Sequence, residues 1–297
     1  MWFRCAANRG RIRSFAAAIL AIVSLGFPAA AAEPMLPLPL FRTTETAPQT
    51  IPSRFEDRVL VQGFINGRAL WFHLDTGSAG LVLSTSAARS LGFDVARAGG
   101  TLVADVDVGP LHAHDAVFNT IDYAVRDAGY EVSGIIGAPF FRSNIVTLDF
   151  RGRHVVVYPR GFAPSQFAGA PTPLVLQRGI PRVRVIWGGE PALLLLDTGS
   201  AYTFLFPSRA ARMPQARPAP AIDLNPLRLG IGETPTRVRA FTIPPITIGG
   251  TDLRLGTALV PDDVPAQLRA DDGIFGRDAC RAFSITLDYG HSVAYWK

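Results

Sequence analysis

The chain has 297 residues, 48% of them hydrophobic, enough for one large or two modest cored domains. Its net charge of +5 is lopsided: Arg4, Arg9, Arg11 and Arg13 lie in the first 32 residues, which hold no acid, so the remainder carries only +1. A chain so balanced offers no basic patch with which to hold nucleic acid.

Residues 1–32 read as a secretory signal. A basic start is followed by the apolar stretch "SFAAAILAIVSLGF" and an Ala-x-Ala site in "AAAAE", with cleavage expected after Ala32 and Glu33 as the first mature residue. The apolar core is short for a membrane span, and no later stretch is long and uninterrupted enough for one. Cys5 leaves with the signal and Cys280 remains alone, so the mature chain has no intramolecular disulfide. Export without cystines fits a periplasmic or secreted protein, a bacterial periplasm better than a cystine-rich extracellular module. Residues 33–53, rich in Pro and Thr, are expected to be an extended lead-in or a short pro-segment.

From residue 54 the elements come in two matched series. "DRVLVQGFINGRALWFHLD" reads as two strands around an Asn66-Gly67 turn, and "IPRVRVIWGGEPALLLLD" as two around Gly188-Gly189. Each series delivers an aspartate into the same turn, Asp75-Thr76-Gly77-Ser78 and Asp197-Thr198-Gly199-Ser200, 122 residues apart. Helix signals follow both, "STSAARSLGF" and "FPSRAARMPQ", and then hairpins. "GIIGAPFFRSNIVTLDF" and "GIFGRDACRAFSITLDY" then match at an offset of 139, each closing on a strand. Two homologous halves organise the chain: residues 54–160, a linker at 161–173, and residues 174–297.

Two D-T-G-S turns, each followed by an apolar-apolar-Gly segment, resemble the aspartic protease family. Each half is closer in size to a retropepsin-type subunit than to a pepsin lobe, so the chain resembles a single-chain, two-lobed bacterial relative. The resemblance implies an all-β, bilobal acid-protease fold: two β-barrel-like lobes, a short helix in each, and an active-site cleft between them. It implies that Asp75 and Asp197 are the catalytic pair, facing each other across a pseudo-twofold axis. Thr76 and Thr198 would cross-link the two loops by hydrogen bonds to the opposite backbone. Ser78 and Ser200 would bond the outer carboxylate oxygens. Ile135-Ile136-Gly137 and Ile274-Phe275-Gly276 would pack beneath the loops.

The chemistry accounts for the residue types. Hydrolysing an amide without a metal or a covalent nucleophile requires activating water and protonating the carbonyl oxygen together. Two carboxylates about 3 Å apart cannot both ionise, so one keeps a proton and acts as acid while the other acts as base. Gly77 and Gly199 allow the close approach that a Cβ would block. The expected activity is aspartic endopeptidase action on an extended peptide or protein, with no cofactor or metal and with a monomer as the working form. A catalytically silent relative that binds peptides in the same cleft is the alternative, disfavoured because a binder has no need of two costly buried acids.

The halves also differ. The second has 18 more residues between its Asp and the hairpin glycine, which predicts that the dominant flap lies within Asn225 to Thr242. Arg277-Asp278 follows Gly276, whereas Ala138-Pro139 follows Gly137. His112 and His114 lack a third ligand at familiar spacing and read as an exposed strand face. His73, matched by Leu195, and Cys280, in "RDACRAF", read as packing positions.

Overall fold

The computed structural model describes residues 41–95, 99–159, 162, 167, 169–220 and 236–297. The signal segment, and residues 225–235 of the expected flap, lie outside the described residues. The described remainder of that flap includes Val238–Thr242, a strand paired antiparallel with Thr257–Pro261.

The first lobe is a closed six-stranded barrel. Val59–Ile65, Arg68–Leu74, Tyr130–Ile136, Leu81–Ser84, Leu111–Ile121 and Thr101–Val108 follow one another, and the last pairs back onto the first through Gly63–Val108 and Phe64–Asp107. Asn66 and Gly67, both at positive φ (51° and 71°), make the tight turn between the first two strands, as the Asn-Gly pair predicts. In the second lobe Gly188 and Gly189 (66° and 88°) do the same work. In that lobe the matching contact, Ile186–Thr247, is made by a short strand, Ile246–Ile248. Pro244 and Pro245 stand just before it, and since proline has no N–H to give a ladder, they separate it from Val238–Thr242.

Both aspartates sit at the same feature. Arg68–Leu74, which leads into Asp75, runs parallel to Tyr130–Ile136, which is antiparallel to Leu81–Ser84, the strand leaving the loop. Glu190–Leu196, Gly273–Phe275 and Phe204–Leu205 repeat this in the second lobe. The strands cross so closely that a Cβ on Gly134 would lie 2.0 Å from the Val82 carbonyl oxygen, and one on Gly273 2.1 Å from that of Phe204. Short helices fall where the sequence signals them: Thr85–Ser90, capped by Ser84 Oγ accepting from Ala87 N at 3.1 Å, and Pro207–Ala210. Each lobe adds a second, Ala138–Ser143 and Arg277–Cys280.

A six-stranded sheet joins the lobes in the order Gln49–Ile51, His154–Tyr158, Ile145–Asp149, Ser284–Asp288, Val293–Trp296, Ala170–Gln177. Its two central strands belong to different halves, and Thr147 faces its own duplicate, Thr286, with the hydroxyl oxygens 2.7 Å apart. The pseudo-twofold axis therefore passes between these threonines. Phe141 stacks on Tyr289 across the same junction, ring centroids 5.6 Å apart.

This sheet revises two boundaries. The span read as linker, 161–173, is already strand from Ala170, paired with Trp296. Of residues 33–53, Gln49–Ile51 form the matching edge strand, and Phe41 is buried with its ring edge on Phe140. The described part of the lead-in is thus woven into the core.

Candidate active site

Asp75 and Asp197 each follow a strand whose last residues are buried, and both have no exposed surface. Backbone bonds set the loops: Asp75 N donates to Ile136 O at 3.0 Å and Asp197 N to Phe275 O at 3.1 Å. Ile135, Ile136, Ile274 and Phe275 are fully buried beside them. Gly137 and Gly276 come so close to the loops that a Cβ would fall 2.5 Å from Ser78 O in the first and 2.1 Å from Tyr202 O in the second.

The two loops meet face to face. Thr76 N donates to Thr198 Oγ1 (3.1 Å) and Thr198 N to Thr76 Oγ1 (3.0 Å). Each hydroxyl passes its own proton to the opposite strand, Thr76 to Leu196 O at 2.7 Å and Thr198 to Leu74 O at 2.9 Å. Four buried bonds thus lock the lobes together at the aspartates. A Cβ on Gly77 would sit 2.6 Å from the Asp197 carboxyl carbon, and one on Gly199 2.5 Å from that of Asp75. Only glycine fits where each loop meets the other's carboxylate.

The serines do not do what the resemblance implies. Ser78 Oγ donates to Gly80 O (3.1 Å) and Ser200 Oγ to Tyr202 O (2.7 Å). Each hydroxyl closes its own loop instead of reaching a carboxylate, because a carbonyl two residues ahead lies nearer to hand. The outer carboxylate oxygens are served by backbone: Gly77 N to Asp75 Oδ1 (2.8 Å), and Gly199 N (2.8 Å) and Ser200 N (3.1 Å) to Asp197 Oδ1. The other oxygens, Asp75 Oδ2 and Asp197 Oδ2, are buried and take no hydrogen bond from any residue outside the pair.

Burial, then repulsion from Asp197, hold the Asp75 carboxyl well above the usual carboxylate range. Burial also raises Asp197, to about 6, against the opposing pull of its hydrogen bond with Asp75, the two backbone N–H groups and the charge of Arg58. Two acids in one desolvated site that cannot both ionise can deliver a proton and accept one in the same event.

Around the first loop lies a polar network of which the sequence singles out only His73, as a packing position. His73 is fully buried, as expected of a packing position, yet its Nδ1 is 2.6 Å from Tyr123 Oη and its Nε2 3.3 Å from Asp127 Oδ2. Asp127 also accepts from Asp57 N and Arg58 N, both at 2.9 Å. Arg58, itself buried, sends its Nε across the lobe boundary to Gly199 O at 2.8 Å. The one signal for it in the sequence was asymmetry: at the offset of 122 its counterpart is Ile180.

The second lobe has its own buried pair, Arg182 Nε to Asp271 Oδ1 at 2.7 Å. Arg277 Nη1 crosses to Glu56 O at 2.8 Å, and Asp278 accepts from Thr203 Oγ1 at 2.7 Å, contacts for which Ala138 and Pro139 have no side-chain equivalent. His112 and His114 are exposed, each resting on an aspartate, Asp107 and Asp105. Cys280 is buried, and burial pushes its thiol well up, away from thiolate.

Residues 61–140, which contain the first DTGS loop and Ile135-Ile136-Gly137, match the family model described as aspartyl protease. That match over the first lobe supports an aspartic protease family for the chain. No curated protein gives a significant match. Among solved structures, an aspartic proteinase from Irpex lacteus superposes with a TM-score of 0.50 at 11% identity, covering 84% of this chain and 97% of that one. At that identity the likeness speaks for the fold. Family and fold together support a protease-like function. No helix among the described residues is long and apolar enough to cross a membrane.

Proposed function

We propose that this aspartic protease relative is an endopeptidase, exported by its N-terminal segment to the periplasm or beyond, that hydrolyses extended peptides with water activated by Asp75 and Asp197. The observation that carries this reading is the pair itself: two fully buried carboxylates, cross-braced by Thr76 and Thr198, each with one oxygen bonded to backbone and one left for chemistry. A structural role would satisfy all four oxygens or replace the acids with apolar groups, since buried acids held together by fold alone are costly.

The ionised carboxylate takes a proton from water as its oxygen attacks the scissile carbonyl carbon, and the protonated one gives its proton to the carbonyl oxygen. The resulting gem-diol collapses with transfer of the first proton to the amide nitrogen. The C–N bond breaks, and a hydroxyl proton returns to the second aspartate. Because one chain supplies both acids, a single copy makes a complete site, in keeping with a monomer.

The test is cleavage of a peptide library by the mature protein starting at Glu33, with and without a statine-type transition-state mimic. Internal cleavage that the mimic blocks is the expected outcome. Binding of the mimic without turnover would establish a silent peptide-binding relative instead.

A further inference from the structure

The two loops obey the pseudo-twofold axis in their backbone but not in what holds them. Gly199 O accepts Arg58 Nε at 2.8 Å, and the N–H on the other side of that same peptide unit, Ser200 N, donates to Asp197 Oδ1 at 3.1 Å. A cation on a peptide oxygen draws electron density through the amide and makes its N–H a stronger donor. The first loop has no such chain. Arg58's counterpart there is the aliphatic Ile180, and Ser78 N reaches only the Asp75 main-chain oxygen, at 3.4 Å, whereas Ser200 N reaches both the Asp197 main-chain oxygen, at 3.3 Å, and its carboxylate. Asp197 Oδ1 therefore takes two backbone N–H bonds and Asp75 Oδ1 takes one.

We propose that Arg58 is a positioning residue for the aspartate pair: by holding the Gly199–Ser200 peptide it makes Asp197 the member that carries the negative charge and leaves the shared proton on Asp75. This rests on the proton-sharing pair proposed above. Hydrogen bonds to a carboxylate favour its charged form, and the member with more of them gives up its proton first. In the reaction Asp197 is then the base toward water and Asp75 the acid toward the carbonyl oxygen.

Arg58 is built in. Its backbone N–H is fixed by Asp127, which also takes Asp57 N and faces His73 and, through it, Tyr123. The second lobe has Leu195 where the first has His73. The other ionisable groups near the pair do not supply the asymmetry. Burial keeps Tyr123, Tyr289 and Cys280 protonated and holds His73 neutral down to about 4. Arg277 and Asp278, behind the second loop, are of opposite charge.

The experiment is a carbon-13 carboxyl titration of the full mature protein, with resonances assigned through Asp75→Asn and Asp197→Asn, run beside the pH profile of kcat/KM. In the wild type the first ionisation of the pair should move the Asp197 resonance and the second that of Asp75. In Arg58→Gln both steps should move to higher pH, the acid one by about one unit and more than the alkaline one, and the order should blur. Arg58→Lys, which keeps the charge without the fixed Nε, should shift less. The acid limb of kcat/KM should move with the titration, whereas simple loosening of the loop would lower the rate without moving the limb.

Ionisation of Asp75 before Asp197 in the wild type, or an unmoved titration in folded Arg58→Gln, would overturn the proposal. If Arg58→Gln does not fold, the wild-type order and Arg58→Lys decide. The titration needs no turnover. A silent protein with the expected order would overturn only the peptidase reading, and turnover with an unmoved titration only the role of Arg58.

Discussion

The two DTGS loops carry the same four residues on the same crossed strands, and they differ in the polar side chains packed around them. The first is bordered by His73, Tyr123 and Asp127, a buried polar chain ending in Arg58. At the matching positions the second lobe has Leu195 and Ile180. Duplication thus supplied the symmetric part, the cross-braced threonines and the glycines that let the carboxylates approach. Divergence of the surrounding side chains supplied an inequality between two acids that repulsion alone would leave free to hold the shared proton on either side.

The hardest test of that equivalence is removal of either acid. Asp75→Asn and Asp197→Asn should each cost about 10⁴-fold in kcat, and the double variant should be scarcely worse than either single one, as expected of residues that act as a unit. Circular dichroism should report an intact fold, because each change removes a buried charge and keeps the shape. Appreciable turnover in either single variant would place the chemistry elsewhere.

Next comes the close approach. Gly77→Ala and Gly199→Ala would put a methyl group 2.6 Å and 2.5 Å from the facing carboxyl carbon. A displacement near 1 Å is worth about 100-fold in rate, so both should lose about that much or more. Comparable losses in the two variants would confirm the axis, and tolerance of one alone would show that the loops are not equivalent.

The polar chain of the first lobe should show in stability. Burial lowers His73 from 6.5 to about 4, so between those values the folded state binds fewer protons than the unfolded one. Stability from this group therefore rises with pH across that window and is lost as pH falls through it, by about 3 kcal/mol in all. The raised aspartates act in the opposite sense, stabilising the fold as pH falls. Replacing the chain with the second lobe's chemistry, His73→Leu together with Tyr123→Phe, should remove the first contribution and leave the second. Denaturant midpoints at neutral and acid pH should then show a variant less sensitive to acid than the wild type. An unchanged pH dependence would mean that His73 does not titrate with folding.

The smallest effect belongs to the serines. Their hydroxyls close their own loops, so Ser78→Ala and Ser200→Ala should each cost about 1 kcal/mol in stability while leaving kcat within a few-fold. A loss of kcat on the scale of the glycine variants would restore the carboxylate role that the family resemblance suggests.

Much of this molecule was legible in its residues. Gly and Asn in hairpin turns, strands of alternating burial and two offset repeats are local signals, and they led to two barrels, the short helices and the location of both loops. Asp75 and Asp197 stood out because each ends a buried run with a charge. Phe41 and Gln49–Ile51 escaped notice, because a lone edge strand and a single buried ring have no periodicity to read. The linker boundary was missed because the proline-rich start of Ala170–Gln177 looks like loop until Val293–Trp296 pairs with it.

The sequence by itself determined that two equivalent halves would each deliver a carboxylate, because a repeat is a property of the chain and symmetry follows from it. Only the tertiary structure decided how those carboxylates differ. Arg58 and Gly199 are 141 residues apart, and whether a guanidinium meets that carbonyl, or a serine hydroxyl meets a carboxylate or its neighbour's backbone, depends on placement to within a few tenths of an ångström. Hydrogen bonds weaken steeply beyond their narrow range of length and angle. No spacing along the chain encodes that placement, and packing of the two lobes against each other sets it.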